Sequence, residues 1–198
     1  MFSFTNGSYL DLRRPVRRLG VSLSFCLFMA ASFSALVHEG FLTWPEPELA
    51  QPAPVVVDVD LPRKVAITEY LADKYDRDPV NVRTYVDLAW AESKKNPALS
   101  PELILAVIQK ESSLREDAQS RYGAQGLMQV VPRWHREKLH EAESLFTAQV
   151  NIRVGAEILQ KYVSEMNGDM GRALKKYSGN ARGYADFVLR EARAMKDI

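Results

Sequence analysis

Glu111 closes an apolar run, Leu103-Ile104-Leu105-Ala106-Val107-Ile108. On a helix, Ile104, Val107, Ile108 and Glu111 stand at i, i+3, i+4 and i+7, on one face. A charge on an inward face is costly unless it is paired or neutral. A carboxyl desolvated against a cleft stays protonated near neutral pH and can donate that proton. General acid catalysis is therefore the chemistry these residues suggest. A turn and a short apolar segment, Gly126-Leu127-Met128-Gln129, follow in the sequence. A second carboxylate would complete the pair used by most glycosidases. Glu116 and Asp117 lie close by, but loop acids this near in sequence read as solvated charges. His135 and His140, with Glu137 between them, lack the i, i+4 histidine spacing of a zinc helix. No metal and no cofactor is expected, and neither a glycine-rich phosphate loop nor a Ser-His-Asp set is present.

The elements that must position Glu111 read as helices from Arg63 onward. Val65, Ile67, Tyr70 and Leu71 give a first amphipathic helix. Asp78-Pro79 opens a second, with Asp as cap and Pro in the first turn. It carries Val80, Val82, Tyr85, Val86, Leu88, Ala89 and Trp90. Ser100-Pro101-Glu102 repeats the device and opens the helix that ends near Glu111. Residues 113–126 are loop-like. A short helix is expected at Leu127–Val131, stopping near Pro132, and another through Trp134 and Leu139. A long helix over about 148–166 turns Ile152, Ala156, Leu159 and Tyr162 inward and ends at Asn167-Gly168. Two more follow, over about 169–177 and 181–195. Six to eight helices over residues 63–198 make a compact all-α domain.

The N-terminal part differs in character. The net charge of the chain is +1, so no basic field points to nucleic acid. Residues 1–18 form a basic region containing Arg13, Arg14, Arg17 and Arg18. Residues 19–37 are uncharged and rich in Leu, Phe, Val and Ala. As a helix they would span about 29 Å, close to the bilayer core. No Lys or Arg follows until Arg63. The positive-inside rule then places the N-terminus in the cytosol and the body outside, in the periplasm against the inner membrane. An uncleaved transmembrane signal-anchor and a signal peptide cut after Ser34 both fit, and both export the body. Cys26 is the only cysteine, so no intramolecular disulfide can form. Residues 38–62 hold Pro45, Pro47, Pro52, Pro54 and Pro62 and read as an extended linker.

The pieces Glu111-Ser112, Ser120, Gly123-Ala124-Gln125-Gly126-Leu127-Met128-Gln129, Asn151-Ile152-Arg153-Val154-Gly155 and Ala173-Leu174-Lys175-Lys176-Tyr177-Ser178-Gly179 are weak singly. In this order, on an exported all-α chain, they are specific. Over residues 63–198 the sequence resembles the lytic transglycosylase family, whose catalytic domain is related to goose-type lysozyme. The resemblance implies a compact lysozyme-like helical fold. It also implies cleavage of the β-1,4 bond between N-acetylmuramic acid and N-acetylglucosamine in peptidoglycan glycan strands, without water. One Glu protonates the glycosidic oxygen, then deprotonates the C6 hydroxyl, which closes on C1 as a 1,6-anhydro ring.

On this resemblance Glu111 is the acid and base. Ser112 is its structural partner, and Ser120 lies near the carboxylate and the substrate. Gln129 binds sugar, and Gly126 lets backbone approach closely. Met128 belongs to the core or to the cleft wall. Asn151 serves packing and hydrogen bonding. Tyr177 brings its hydroxyl toward Glu111, while Tyr184 either lines the cleft or is simply packed. Many relatives read Ala-Tyr-Asn-Ala-Gly where this chain reads Lys176-Tyr177-Ser178-Gly179-Asn180, so Ser178 replaces an asparagine, and the sequence does not decide whether Asn180 replaces the lost amide. Two rivals remain. One is a hydrolytic muramidase on the same fold. The other is a non-catalytic glycan-binding or assembly protein of an envelope-spanning machinery.

Overall fold

The computed structural model describes residues 58–198, so the basic region, residues 19–37 and nearly all of the linker lie outside the described residues. Among the described residues there are six α-helices: α1 (Leu61–Tyr75), α2 (Pro79–Lys95), α3 (Pro101–Ser112), α4 (Ala148–Glu165), α5 (Met170–Tyr177) and α6 (Tyr184–Lys196). The only extended pairing among them is two isolated bridges, Gln119 with Gln125 and Gln125 with Val130. The all-α expectation therefore holds for this part of the chain.

The helix starts follow their caps. Asp78 accepts from the backbone N–H of Val80, Ser100 from that of Leu103 and Asp169 from that of Arg172, which satisfies donors that have no intrahelical partner. Pro79 and Pro101 occupy first-turn positions where a missing N–H costs nothing. Pro62, which the linker range includes, stands in the first turn of α1. α1 also differs in its inward face. Val65 is exposed, and Lys64 is buried in its place. The Lys64 ammonium is paired with Asp58 at 2.8 Å and Asp87 at 3.3 Å.

Helix α3 occupies the centre. Leu103 to Ile108 are all buried, and α3 packs between α2 and α6. Its apolar surface is therefore a full circumference and not a stripe, as expected of a core helix. Glu102 near its start is also buried, and Arg63 neutralises it at 2.7 Å. The central helix ends at Ser113, whose left-handed backbone (φ 51°) turns the chain outward. α4 packs on α2 and α5, and α5 on α6, so the helices surround α3 and leave its C-terminal end facing a cleft.

Two expected helices are absent. In place of the helix at 127–131, residues 126–129 form a four-residue turn closed by backbone hydrogen bonds between Gln125 and Val130, at 2.9 and 3.1 Å. The apolar side chains there are inward because a polar group on α4 holds the turn, not because of helical periodicity. Residues 132–139 make two 3₁₀ turns, Pro132–Trp134 and Arg136–Lys138, in place of one α-helix. The last helix starts at Tyr184, three residues later than expected, after the left-handed Gly183 (φ 71°).

Candidate active site

Glu111 stands on the last turn of α3 and borders a cleft of about 460 Å³. Ser120, Gln129 and Tyr177 border the same cleft, so three of the expected substrate-side residues converge on the carboxylate. Glu111 is the only carboxylate among the described residues that line it. Burial pushes the Glu111 carboxyl from its ordinary 4.5 up to about 6, against the opposing effects of a Tyr184 hydrogen bond and the charge of Lys110. The Tyr184 hydroxyl donates to Glu111 Oε1 at 2.6 Å. Tyr184 is itself buried at the start of α6. Burial, then the neighbouring Glu111 charge, drives its pKa far above the usual phenol range. Tyr184 is therefore a permanent donor. With Oε1 occupied as an acceptor, the proton of the neutral acid resides on Oε2.

The two tyrosines differ from their expected places. Tyr177 does not bond Glu111. Its hydroxyl donates to the backbone carbonyl of Met128 at 2.9 Å, which ties α5 to the turn after Gly126. Tyr177 still lines the cleft, and burial followed by the Glu111 charge raises its pKa well above the usual value. Tyr184 is the residue whose contact the sequence left undecided, and it makes the direct bond.

The Gly126–Gln129 turn is assembled around Asn151, which is fully buried on α4. Asn151 Oδ1 accepts from the Met128 N–H at 2.7 Å, and Nδ2 donates to the carbonyls of Gln125 at 2.8 Å and Leu145 at 2.7 Å. Gly126 has a φ of 73°, and a Cβ there would stand 2.2 Å from both Asn151 Nδ2 and Leu145 O, closer than any side chain permits. Gly155 on α4 is likewise packed on Met128, whose side chain lies in the core and not on the cleft wall. Gln129 adopts a left-handed backbone (φ 49°). Both of its amide hydrogens are used locally, on Ala118 O at 3.0 Å and Gly126 O at 2.9 Å. Its carbonyl oxygen is the atom left to meet a ligand.

The serines divide in the same way. Ser112 Oγ is buried and donates to the Ile108 carbonyl at 3.1 Å, an intrahelical bond. Ser120 borders the cleft, and its Oγ accepts from the Ala124 N–H at 3.1 Å while keeping its own hydrogen to donate. Ser178 also borders the cleft, but its hydroxyl is engaged with Lys175 O and the Ala181 N–H. Asn180 lines hollows beside the cleft and so does not restore the missing amide within it. Glu116 turns the other way and accepts from Tyr85 on α2 at 3.3 Å.

Several cleft residues were not legible in the sequence. Tyr122 and Trp134 line the cleft although 81% and 63% exposed, so they offer flat apolar faces to a ligand. Tyr162 contributes from α4, edge-on to Tyr177 with centroids 6.4 Å apart. His135 and Lys176 add polar groups. Burial holds the His135 imidazole below its usual pKa. Lys176 pairs with Glu165 and lies 4.7 Å from the Tyr162 ring centre. Single exposed aromatics in loops carry no periodic signal, so no sequence pattern marks them.

Comparison with known proteins places this geometry in a family. The model described as the transglycosylase SLT domain matches residues 88–189, from within α2 to within α6. The chain is also similar to a solved structure, an inactive Glu-to-Gln mutant of the lytic transglycosylase Slt from Pseudomonas aeruginosa, with 25% identity and a TM-score of 0.52. That match covers 56% of this chain and 24% of the other, so the chain spans about a quarter of the length of that protein. Since the matched region takes in just over half of the chain and every residue around Glu111 described above, the protein belongs to the transglycosylase SLT domain family.

Proposed function

We propose that the protein is a peptidoglycan lytic transglycosylase on a goose-type lysozyme-like fold, with Glu111 acting first as acid and then as base. The observation that carries this is the cleft: one desolvated carboxylate, raised to about 6, with no second acid among the described lining residues. In the first half-reaction the proton on Oε2 passes to the glycosidic oxygen as its bond to C1 of N-acetylmuramic acid breaks. The sugar's own acetamido group supports the cation. In the second, the C6 oxygen bonds to C1 and its proton returns to Oε2. Glu111 ends as it began, no water is consumed, and the product carries a 1,6-anhydro end. A single carboxylate is sufficient because the substrate supplies the nucleophile, a departure from the two-carboxylate scheme.

The remaining groups fit a glycan ligand. Tyr122, Trp134 and Tyr162 present ring faces suited to sugar rings. Ser120 Oγ and the Gln129 carbonyl supply hydrogen bonds for hydroxyl and acetamido groups. The basic residues before position 19 and the uncharged stretch 19–37 support a place at the outer face of the inner membrane, within reach of periplasmic glycan. No helix among the described residues is long and apolar enough to cross a membrane.

Digestion of purified peptidoglycan, with products resolved by mass spectrometry, tests the reaction. Fragments one water lighter than hydrolysis products are expected, and Glu111→Gln should yield none. Water-derived reducing ends would make the protein a muramidase. Binding to sacculi without cleavage by either protein would favour a role in glycan binding or assembly of an envelope machine.

A further inference from the structure

Helix α1 lies before the matched residues 88–189, yet it joins the two helices that carry Glu111 and Tyr184. It packs on α2, and a cation near each of its ends reaches both α3 and α6. Arg63 pairs with Glu102 of α3 at 2.7 Å and donates to the Met195 carbonyl of α6 at 3.5 Å. Three turns on, Lys74 donates to Gln109 Oε1 of α3 at 3.2 Å and to Glu191 Oε2 of α6 at 2.6 Å. It also donates to the Tyr70 hydroxyl at 2.9 Å. Gln109 is buried and stands two residues before Glu111. A buried amide is costly unless its polar atoms are bonded. Gln109 finds its partners on α1 and α6: Oε1 also accepts from the Tyr75 hydroxyl at 3.1 Å, and Nε2 donates to Met195 Sδ at 3.5 Å. Tyr184, Glu191 and Met195 stand at i, i+7 and i+11, on one face of α6. The groups that α1 grips therefore share a face of α6 with the tyrosine that bonds Glu111.

We propose that α1 is a strap holding α6 in register on α3, and that Lys74 is a positioning residue that keeps the Tyr184 hydroxyl on Glu111. The inference rests on the reading of Glu111 as acid and base, and it adds a residue that touches neither the cleft nor the carboxylate. The Lys74–Glu191 pair is partly exposed, so its own contribution to folding stability is small. Catalysis is the more sensitive quantity, because misplacing a reacting group by about 1 Å can cost about a hundredfold in rate. Loss of Lys74 should therefore leave a folded domain in which Tyr184 sits off its 2.6 Å bond to Glu111. Glu111 then keeps its proton to higher pH, as it does without the Tyr184 hydroxyl. The other titratable or charged groups facing Glu111 are Lys110 on its own helix, Tyr177 from α5, and His135 and Lys176 lining the cleft. None of these is bonded to Lys74.

The test is a double-mutant cycle in the full-length protein, with Lys74→Met and Tyr184→Phe made singly and together. Lys74→Met should still unfold cooperatively in urea. It should lower kcat about tenfold with KM unchanged and move the alkaline limb of the pH–rate profile upward. In the Tyr184→Phe background the same substitution should change neither kcat nor the limb. A less stable variant with kcat and limb unmoved overturns the proposal, and so does a loss equally large in the Tyr184→Phe background. If Lys74→Met does not fold, Glu191→Gln, which removes the ion pair and keeps an acceptor, is read by the same criteria. If the unaltered protein cleaves no glycan, the catalytic reading fails, and the strap is judged by carbon-13 NMR titration of the Glu111 carboxyl. An upward shift on loss of the Lys74–Glu191 pair, absent in the Tyr184→Phe background, supports the strap. No shift, or an equal shift in both backgrounds, overturns it.

Discussion

At the scale of single residues, two opposed effects govern the proton on Glu111. Burial favours the neutral acid, and the Tyr184 hydrogen bond favours the anion. Activity that needs the protonated acid should be full below pH 6 and fall about tenfold per pH unit above it. Tyr184→Phe removes the effect that favours the anion. The alkaline limb of a pH–rate profile should then move upward, while kcat falls because the carboxyl is no longer held by Oε1. An unmoved limb would show that the bond does not tune the acid. The same shift has a stability consequence. The folded chain holds the Glu111 proton more tightly than the unfolded one, so stability falls as pH rises from 4.5 through about 6. Above that window the charged carboxylate costs about 2 kcal/mol. Glu111→Gln should therefore be inactive yet more stable by about that amount at pH 8, and no more stable at pH 4, as read by urea denaturation. Glu111 was legible in the sequence because its position depends on a local helical spacing. The role of Tyr184 was not, because its contact joins residues 73 positions apart and depends on how α6 packs on α3.

At the scale of elements, the loop that carries Gly126–Gln129 has little regular structure of its own and is held from outside. Asn151 on α4 and Tyr177 on α5 bind the backbone of the Gly126–Gln129 turn from two directions. Asn151→Ala deletes three hydrogen bonds and leaves the Met128 N–H buried and unpaired. It should destabilise the domain by about 3 kcal/mol in chemical denaturation. A loss below about 1 kcal/mol would mean that water or a neighbour replaces the amide. The helices of the body were legible because their caps lie beside them in sequence, as at Asp78-Pro79 and Ser100-Pro101. The Leu127–Val131 segment was misread as helical because its apolar run is short. Over so few residues, periodicity does not separate a helix from a turn whose side chains are buried by tertiary ties. The 3₁₀ turns after Pro132 show the same difficulty in a stretch where no residue is fully buried and packing selects no period.

At the scale of the whole molecule, residues 1–57 and the helical domain have separate tasks in the proposed function. Loss of residues 1–37 should release the protein from membranes into the soluble fraction and leave its rate on soluble glycan fragments unchanged. A soluble product in cells that lacks the N-terminal residues would indicate instead that the segment is cleaved, and a full-length chain found soluble would contradict the anchor. The all-α class of the domain followed from its periodicity, whereas the cleft did not, since its walls come from α3, α4, α5 and two loops that only the folded chain brings together. The central claim is that one carboxylate suffices because the glycan provides its own nucleophile. The most direct measurement is mass spectrometry of peptidoglycan digested by the full-length protein in water labelled with heavy oxygen. The account predicts 1,6-anhydro ends, no label in the products and no product from Glu111→Gln. Labelled reducing ends would contradict it.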